Sequence, residues 1–216
     1  MKKIAVILSG CGVFDGSEIH EAVLTLFYLS RGGAQYHCAS IDSVQEKTVN
    51  HGNHMETGEK RNIMAESARI SRGNISNLSQ ISPKEYDAVI FPGGSGAVLN
   101  LCSFGKEGAN MTVNADVEKL IKSFHEAKKP IGAICIAPVI LAKVLAKHKV
   151  KVTIGNDAQT ATVLNGFGAE HVNCKSDEIC FDTKNLVVTT PAYMTAKNIS
   201  EAAYGIEKLV GKILSL

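Results

Sequence analysis

Cys135 follows the short apolar run Ile131-Gly132-Ala133-Ile134 directly, and Pro138 stands three residues later, where the first turn of a helix tolerates a residue with no amide to donate. That order makes Cys135 the corner between a strand and a helix. It is the arrangement of a nucleophile elbow, in which a side chain leaves the sheet edge beside the free amides of the new helix. A helix N-terminus carries roughly +0.5 of an elementary charge, so the thiol is expected to shift down from about 8.5 towards neutrality. The amide of Ile136 then stands ready for an oxyanion. The turn Pro92-Gly93-Gly94, at the end of another apolar run, offers a second amide through Gly94. A free cysteine also serves as a small apolar core residue, so the position has two readings.

Glu18 opens the helix that follows the first strand, again at a carboxyl end, and is expected to face Cys135. There it could hydrogen-bond a thiolate and move protons as general acid or base. An acid in a first helical turn also complements the helix dipole with no further role. Gly10-Cys11-Gly12 continues as Val13-Phe14-Asp15, which lacks the third glycine of the dinucleotide fingerprint, and no Walker lysine occurs. Chemistry without a cofactor is the expectation. His51 and His54 stand at i, i+3 with Glu56 and Glu59 close by, but in a polar stretch they read as solvated loop residues, and no metal is expected. The six cysteines show no CxxC and no zinc-like spacing. They read as reduced thiols, with Cys174 and Cys180 incidental.

The elements that must position these residues follow from periodicity. Ile4–Ser9, Tyr36–Ile41, 87–91, 131–134, 150–154 and 186–190 are apolar runs without alternation, the pattern of strands buried on both faces of a parallel sheet. Between them, Ile19, Ala22, Val23, Leu26 and Phe27 mark an amphipathic helix with Ser17 as its expected N-cap and Gly32-Gly33 as its stop. Further helices carry Val117, Leu120, Ile121 and Phe124, then Val139 to Ala146, then Glu201 to Leu214. Residues 42–82 are polar apart from a short helix around Ile63–Ile70 and read as an insertion. Alternating strands and helices give an open α/β sheet with helices on both faces, whose ligand site lies at the carboxyl ends of the strands.

Composition narrows the function classes. At 216 residues and 45% hydrophobic the chain suits one domain, and a net charge of +2 argues against a nucleic-acid partner. The first apolar run is too short for a secretory h-region, and no stretch approaches the ~18 apolar residues of a membrane span. A cytoplasmic protein without membrane attachment is the expectation.

Taken together, Gly10-Cys11-Gly12, Asp15-Gly16-Ser17-Glu18-Ile19-His20-Glu21, Phe91-Pro92-Gly93-Gly94, Ile134-Cys135-Ile136-Ala137-Pro138 and Thr189-Thr190-Pro191-Ala192-Tyr193-Met194 carry a resemblance. The chain resembles the ElbB-like members of the class I glutamine amidotransferase-like superfamily, which also holds the Parkinson-associated deglycases and PfpI-type proteases. The resemblance implies a single flavodoxin-like α/β domain over residues 1–216, a homodimer, a nucleophile at Cys135 and its acidic partner at Glu18. It also implies a small dicarbonyl substrate: ElbB-like proteins are described as glyoxalases that turn glyoxal into glycolate without glutathione. Amidotransferases in the superfamily place a histidine downstream of the cysteine. Here Thr153-Ile154-Gly155-Asn156-Asp157 and Thr190-Pro191-Ala192 supply none, and His171 reads as an element edge. A cofactor-independent glyoxalase is the leading expectation; a protein deglycase and a non-catalytic thiol sensor are the alternatives.

Overall fold

Apolar runs without alternation need cover on both faces of a sheet, and the computed structural model, which describes residues 1–216, provides it. In chain order the elements are β1 (Lys3–Ile7), α1 (Ile19–Arg31), β2 (Gln35–Ser40), β3 (Val49–Asn50), β4 (Met55–Glu56), α2 (Ile63–Ile70), β5 (Ile75–Asn77) and β6 (Ala88–Phe91). There follow α3 (Ser95–Leu99), α4 (Phe104–Glu107), α5 (Ala115–Glu126), β7 (Ile131–Ile134), α6 (Pro138–Val144), β8 (Lys151–Val152) and α7 (Ala158–Phe167). The chain closes with β9 (Glu170–His171), β10 (Cys180–Asp182), β11 (Val187–Thr190) and α8 (Ile199–Ser215). Seven strands form one sheet in the order β10-β11-β7-β6-β1-β2-β5, parallel except for β10. This is the expected flavodoxin-like α/β sandwich.

β1 shows how the two faces divide. Ile4, Val6 and Leu8 belong to the apolar cluster that also holds Ala22 and Leu26 of α1 and Ile206 and Leu209 of α8. Ala5 and Ile7 belong to the opposite cluster, with Val117, Ile121 and Phe124 of α5 and Val139 and Leu141 of α6. Each such side chain taken from water contributes roughly 1.5–3 kcal/mol, which is why the strands are continuous in apolar character. β1 also pairs with β2 on one side and β6 on the other. Chain order reverses there, so the crevice opens beyond the carboxyl ends of β1, β6, β7 and β11. No helix is long and apolar enough to cross a membrane.

Three expectations are corrected, and one helix was not read. Ser17 does not cap α1: fully buried under the end of β1, its Oγ accepts from Ser9 N at 2.8 Å, while the longer Glu18 side chain reaches back to cap the helix. Only part of 42–82 stands outside the core layers, because β5 pairs in parallel with β2 and completes a strand-helix-strand unit with α2. The strand read over 150–154 shrinks to β8, which pairs with β9 in a separate two-stranded ribbon. Helix α7 lacked a readable stripe: of its ten residues only Leu164 is buried.

Loops cross closely at the switch point. A Cβ on Gly96 would lie 2.6 Å from Gly16 Cα and closer still to Ser9 O. Gly96→Ala is therefore expected to cost ~1–3 kcal/mol by overpacking. Gly211, exposed on α8 with nothing within 4 Å of an added Cβ, should respond oppositely, with Gly211→Ala gaining ~0.4–1 kcal/mol. Urea denaturation of both variants checks the two signs.

Candidate active site

Cys135 takes up a left-handed backbone, φ +62°, immediately after β7. For a residue with a Cβ this costs about 1–3 kcal/mol. It persists because the neighbours on both sides are pinned: Cys135 N donates to Thr190 O at 2.9 Å and Ala137 N to Ile134 O at 3.0 Å. Pro138 stands at the start of α6, as its missing donor requires. The elbow read from the sequence is present, and a residue serving only as core packing has no need of this conformation. Cys135 is 7% exposed and follows the carboxyl end of β7, the edge of the sheet where ligands bind in this kind of fold.

The backbone amides of Gly94 and Ile136 both act to lower the Cys135 thiol. Gly94 can approach because φ there is +97° and a Cβ would strike the backbone of Gly16 and Glu18. Gly94 and Ile136, the two oxyanion candidates from the sequence, thus lie together at Cys135.

The acid on the sulfur is Glu21. Its fully buried carboxyl lies beside Cys135, since a Cβ added at Gly93 would meet both Cys135 Cβ and Glu21 Oε2, and it accepts from Gly93 N through Oε2 at 3.0 Å and from Tyr193 N through Oε1 at 3.2 Å. Glu18, the expected partner, lies one turn earlier and uses its Oε2 to accept from Glu21 N at 2.7 Å. Helix geometry explains the exchange. Glu21, Ala22, Thr25, Leu26 and Leu29 form the buried face of α1, whereas Ile19, Val23 and Phe27 from the apolar stripe stay exposed.

Burial first, and the nearby charge of Glu18 second, push the Glu21 carboxyl up to about 8. Burial likewise pushes the Cys135 thiol well above its usual range, reinforced by Glu21, while the Gly94 and Ile136 amides pull the other way. The sequence expectation of a depressed thiol is thereby overturned: α6 is only seven residues long, and its field is weaker than the loss of water and the presence of a second acid. Both shifts run the same way, so each group holds its proton more firmly than it would in water. Burial pushes Cys38 and Cys180 up to about 12 and Cys102 up to about 11.

No downstream histidine was read at the cysteine, and His171 indeed lies elsewhere, its Nε2 accepting from Ile154 N at 3.4 Å beside the β8–β9 ribbon. His51 and His54 bracket the Phe14 ring at centroid distances of 5.0 and 4.6 Å, and His51 Nε2 accepts from Phe14 N. Sequence reasoning passed over His20, whose Nδ1 lies 2.7 Å from the Tyr193 hydroxyl at the rim of the site. It also passed over Tyr193 and Glu21. For Glu21 the signal was its i, i+4 relation to Thr25 and its place beside Ala22.

An acid that keeps its proton to about 8 when folded, against 4.5 ordinarily, makes folding favour proton uptake between those values. Its contribution to stability is therefore fullest below about 4.5 and falls as pH rises towards 8. Glu21→Gln, which keeps the shape without the titration, should flatten that slope in urea denaturation followed from about pH 5 to about pH 8.

Comparison with known proteins identifies the family and the fold. The chain is 46% identical to the "ES1 protein homolog, mitochondrial" of Rattus norvegicus, over 99% of this chain and 84% of the relative. It is 44% identical to the human "Glutamine amidotransferase-like class 1 domain-containing protein 3, mitochondrial", over 99% and 83%. Both names carry a mitochondrial location, which differs from the cytoplasmic expectation. A crystal structure of an "isoprenoid biosynthesis protein with amidotransferase-like domain" from Ehrlichia chaffeensis superposes with a TM-score of 0.92 at 35% identity, covering 99% of each chain. The sequence pattern of the DJ-1/PfpI family matches residues 2–203, and with the elbow at Cys135 in place, the chain belongs to that family.

Proposed function

We propose that the protein is a cofactor-independent glyoxalase that converts glyoxal to glycolate on Cys135. The observation that carries this reading is the buried Cys135–Glu21 pair with the Gly94 and Ile136 amides on the same sulfur. Hemithioacetal chemistry needs a nucleophile, a carrier of protons and a cradle for a transient oxyanion, and needs no strong acid for a leaving group. In the first step Cys135 Sγ bonds one aldehyde carbon. Glu21 gives its carboxyl proton to the aldehyde oxygen and takes the proton of the sulfur, so the carboxyl ends as it began. The Gly94 and Ile136 amides hold that oxygen while charge builds on it.

The hydrogen on the sulfur-bearing carbon then leaves as a proton and the second carbonyl oxygen gains one, forming an enediol. Loss of the first hydroxyl proton and protonation of the second carbon give a glycoloyl thioester. Water adds to the thioester carbonyl, the sulfur departs with a proton, and glycolic acid is released. Glu21 suits the role of carrier because its carboxyl, pushed up to about 8, exchanges protons near neutral pH. Glu18, the acid expected from the sequence, contributes through its charge and through capping the helix that carries Glu21. The 7% exposure of Cys135 favours a two-carbon aldehyde over the glycated side chain of a folded protein.

The test is glycolate formation from glyoxal by the purified protein without added thiol or metal. Wild type should turn over, and Cys135→Ser should fold but lose turnover; full activity in that variant would overturn the reading. Glu21→Gln is expected to lower kcat about 10²–10⁴-fold, the range for a removed general acid–base. Glu18→Gln should cost less than Glu21→Gln.

A further inference from the structure

His20 and Glu21 are neighbours at the start of α1, and both are tied to the same residue on another element. Tyr193 lies in the turn that follows β11, where Ala192 has φ +42°, a conformation a side-chain-bearing residue holds only under constraint. From that turn the Tyr193 amide donates to Glu21 Oε1 at 3.2 Å and its hydroxyl meets His20 Nδ1 at 2.7 Å. The two rings are 5.8 Å apart between centroids. One residue thus grips the buried carboxyl by its backbone and an exposed imidazole by its side chain.

We propose that His20 and Tyr193 form a positioning pair that holds the Glu21 carboxyl in register with the Cys135 sulfur, acting through the 191–195 turn. The inference rests on the catalytic reading of Cys135 and Glu21 given above. Its logic is mechanical. The strained turn has to be tied down for the Tyr193 amide to stay aimed at Glu21 Oε1. Pro191 O and Ala192 O accept from Met194 N, Thr195 N and Ala196 N within the turn itself, so those bonds shape it without fixing it to α1. The His20–Tyr193 bond ties it to the residue next to Glu21. The ionisable groups facing Glu21 are Glu18 from the helix cap, Cys135 from the elbow and Tyr193 from the turn. Loss of the Tyr193 amide contact removes one of the interactions that lower the carboxyl, so Glu21 would hold its proton to higher pH.

The test reads Cys135 itself, apart from turnover. The rate of carbamidomethylation of the Cys135 peptide by iodoacetamide is followed against pH by mass spectrometry for wild type, Tyr193→Phe, His20→Ala, the double variant and His20→Asn. Ionisation of Glu21 near 8 should leave an inflection in the wild-type profile. Tyr193→Phe and His20→Ala are expected to move that inflection to higher pH by the same amount. The double variant should match either single one. His20→Asn, whose amide can occupy the place of Nδ1, should restore the wild-type profile. With glyoxal, kcat should fall about tenfold in the two single variants with KM within about twofold, as for misplacement of a reacting group. Unchanged alkylation profiles in folded Tyr193→Phe and His20→Ala, or effects that multiply in the double variant, would overturn the pair. Shifted profiles in a protein whose wild type makes no glycolate would retain the positioning pair and reject the glyoxalase.

Discussion

A carboxyl group removed from water must find every hydrogen bond inside the protein or leave a cost of several kcal/mol. Glu21 meets that demand from the turn after β6 through Gly93 N and from the turn after β11 through Tyr193 N, with the elbow after β7 packed beside it at Cys135. Each of those backbone segments is bent in a way that the demand explains. Gly94 and Cys135 hold positive φ angles, and so does Ala192. The carboxyl is therefore the point at which three strand ends and one helix are fixed relative to one another.

The sheet was open to reading because burial on both faces leaves a direct mark on composition. Runs such as Ala88–Phe91 and Ile131–Ile134 carry no polar residue and end at glycine or cysteine turns. The elbow was legible for a related reason, since Pro138 fixes where α6 must begin. The acid was harder. Of the stripe Ile19, Ala22, Val23, Leu26 and Phe27 only Ala22 and Leu26 turn inward, because hydrophobicity names the faces of a helix only when the buried face has no work for polar residues. In α1 it does: Glu21 and Thr25 face inward, and three large apolar residues face outward. Tyr193 could not be placed because its contacts lie 172 positions away in the chain.

The thiol illustrates how competing fields resolve. A helix terminus, two amides and the backbone of an elbow all favour a thiolate, whereas burial and a neighbouring carboxyl oppose it, and in this crevice the opposing effects are larger. A thiol held uncharged by burial is less open to oxidants than a thiolate would be.

That burial also governs how the protein presents itself to thiol reagents. Of the six cysteines, Cys11 and Cys174 are partly exposed, while Cys135 is buried. A bulky dye-linked maleimide or a polymer tag would report on the two peripheral positions and leave the central one unmarked. A count of accessible thiols made with such labels would describe the surface of this molecule and say little about its chemistry, for which only the smallest electrophiles are suitable probes.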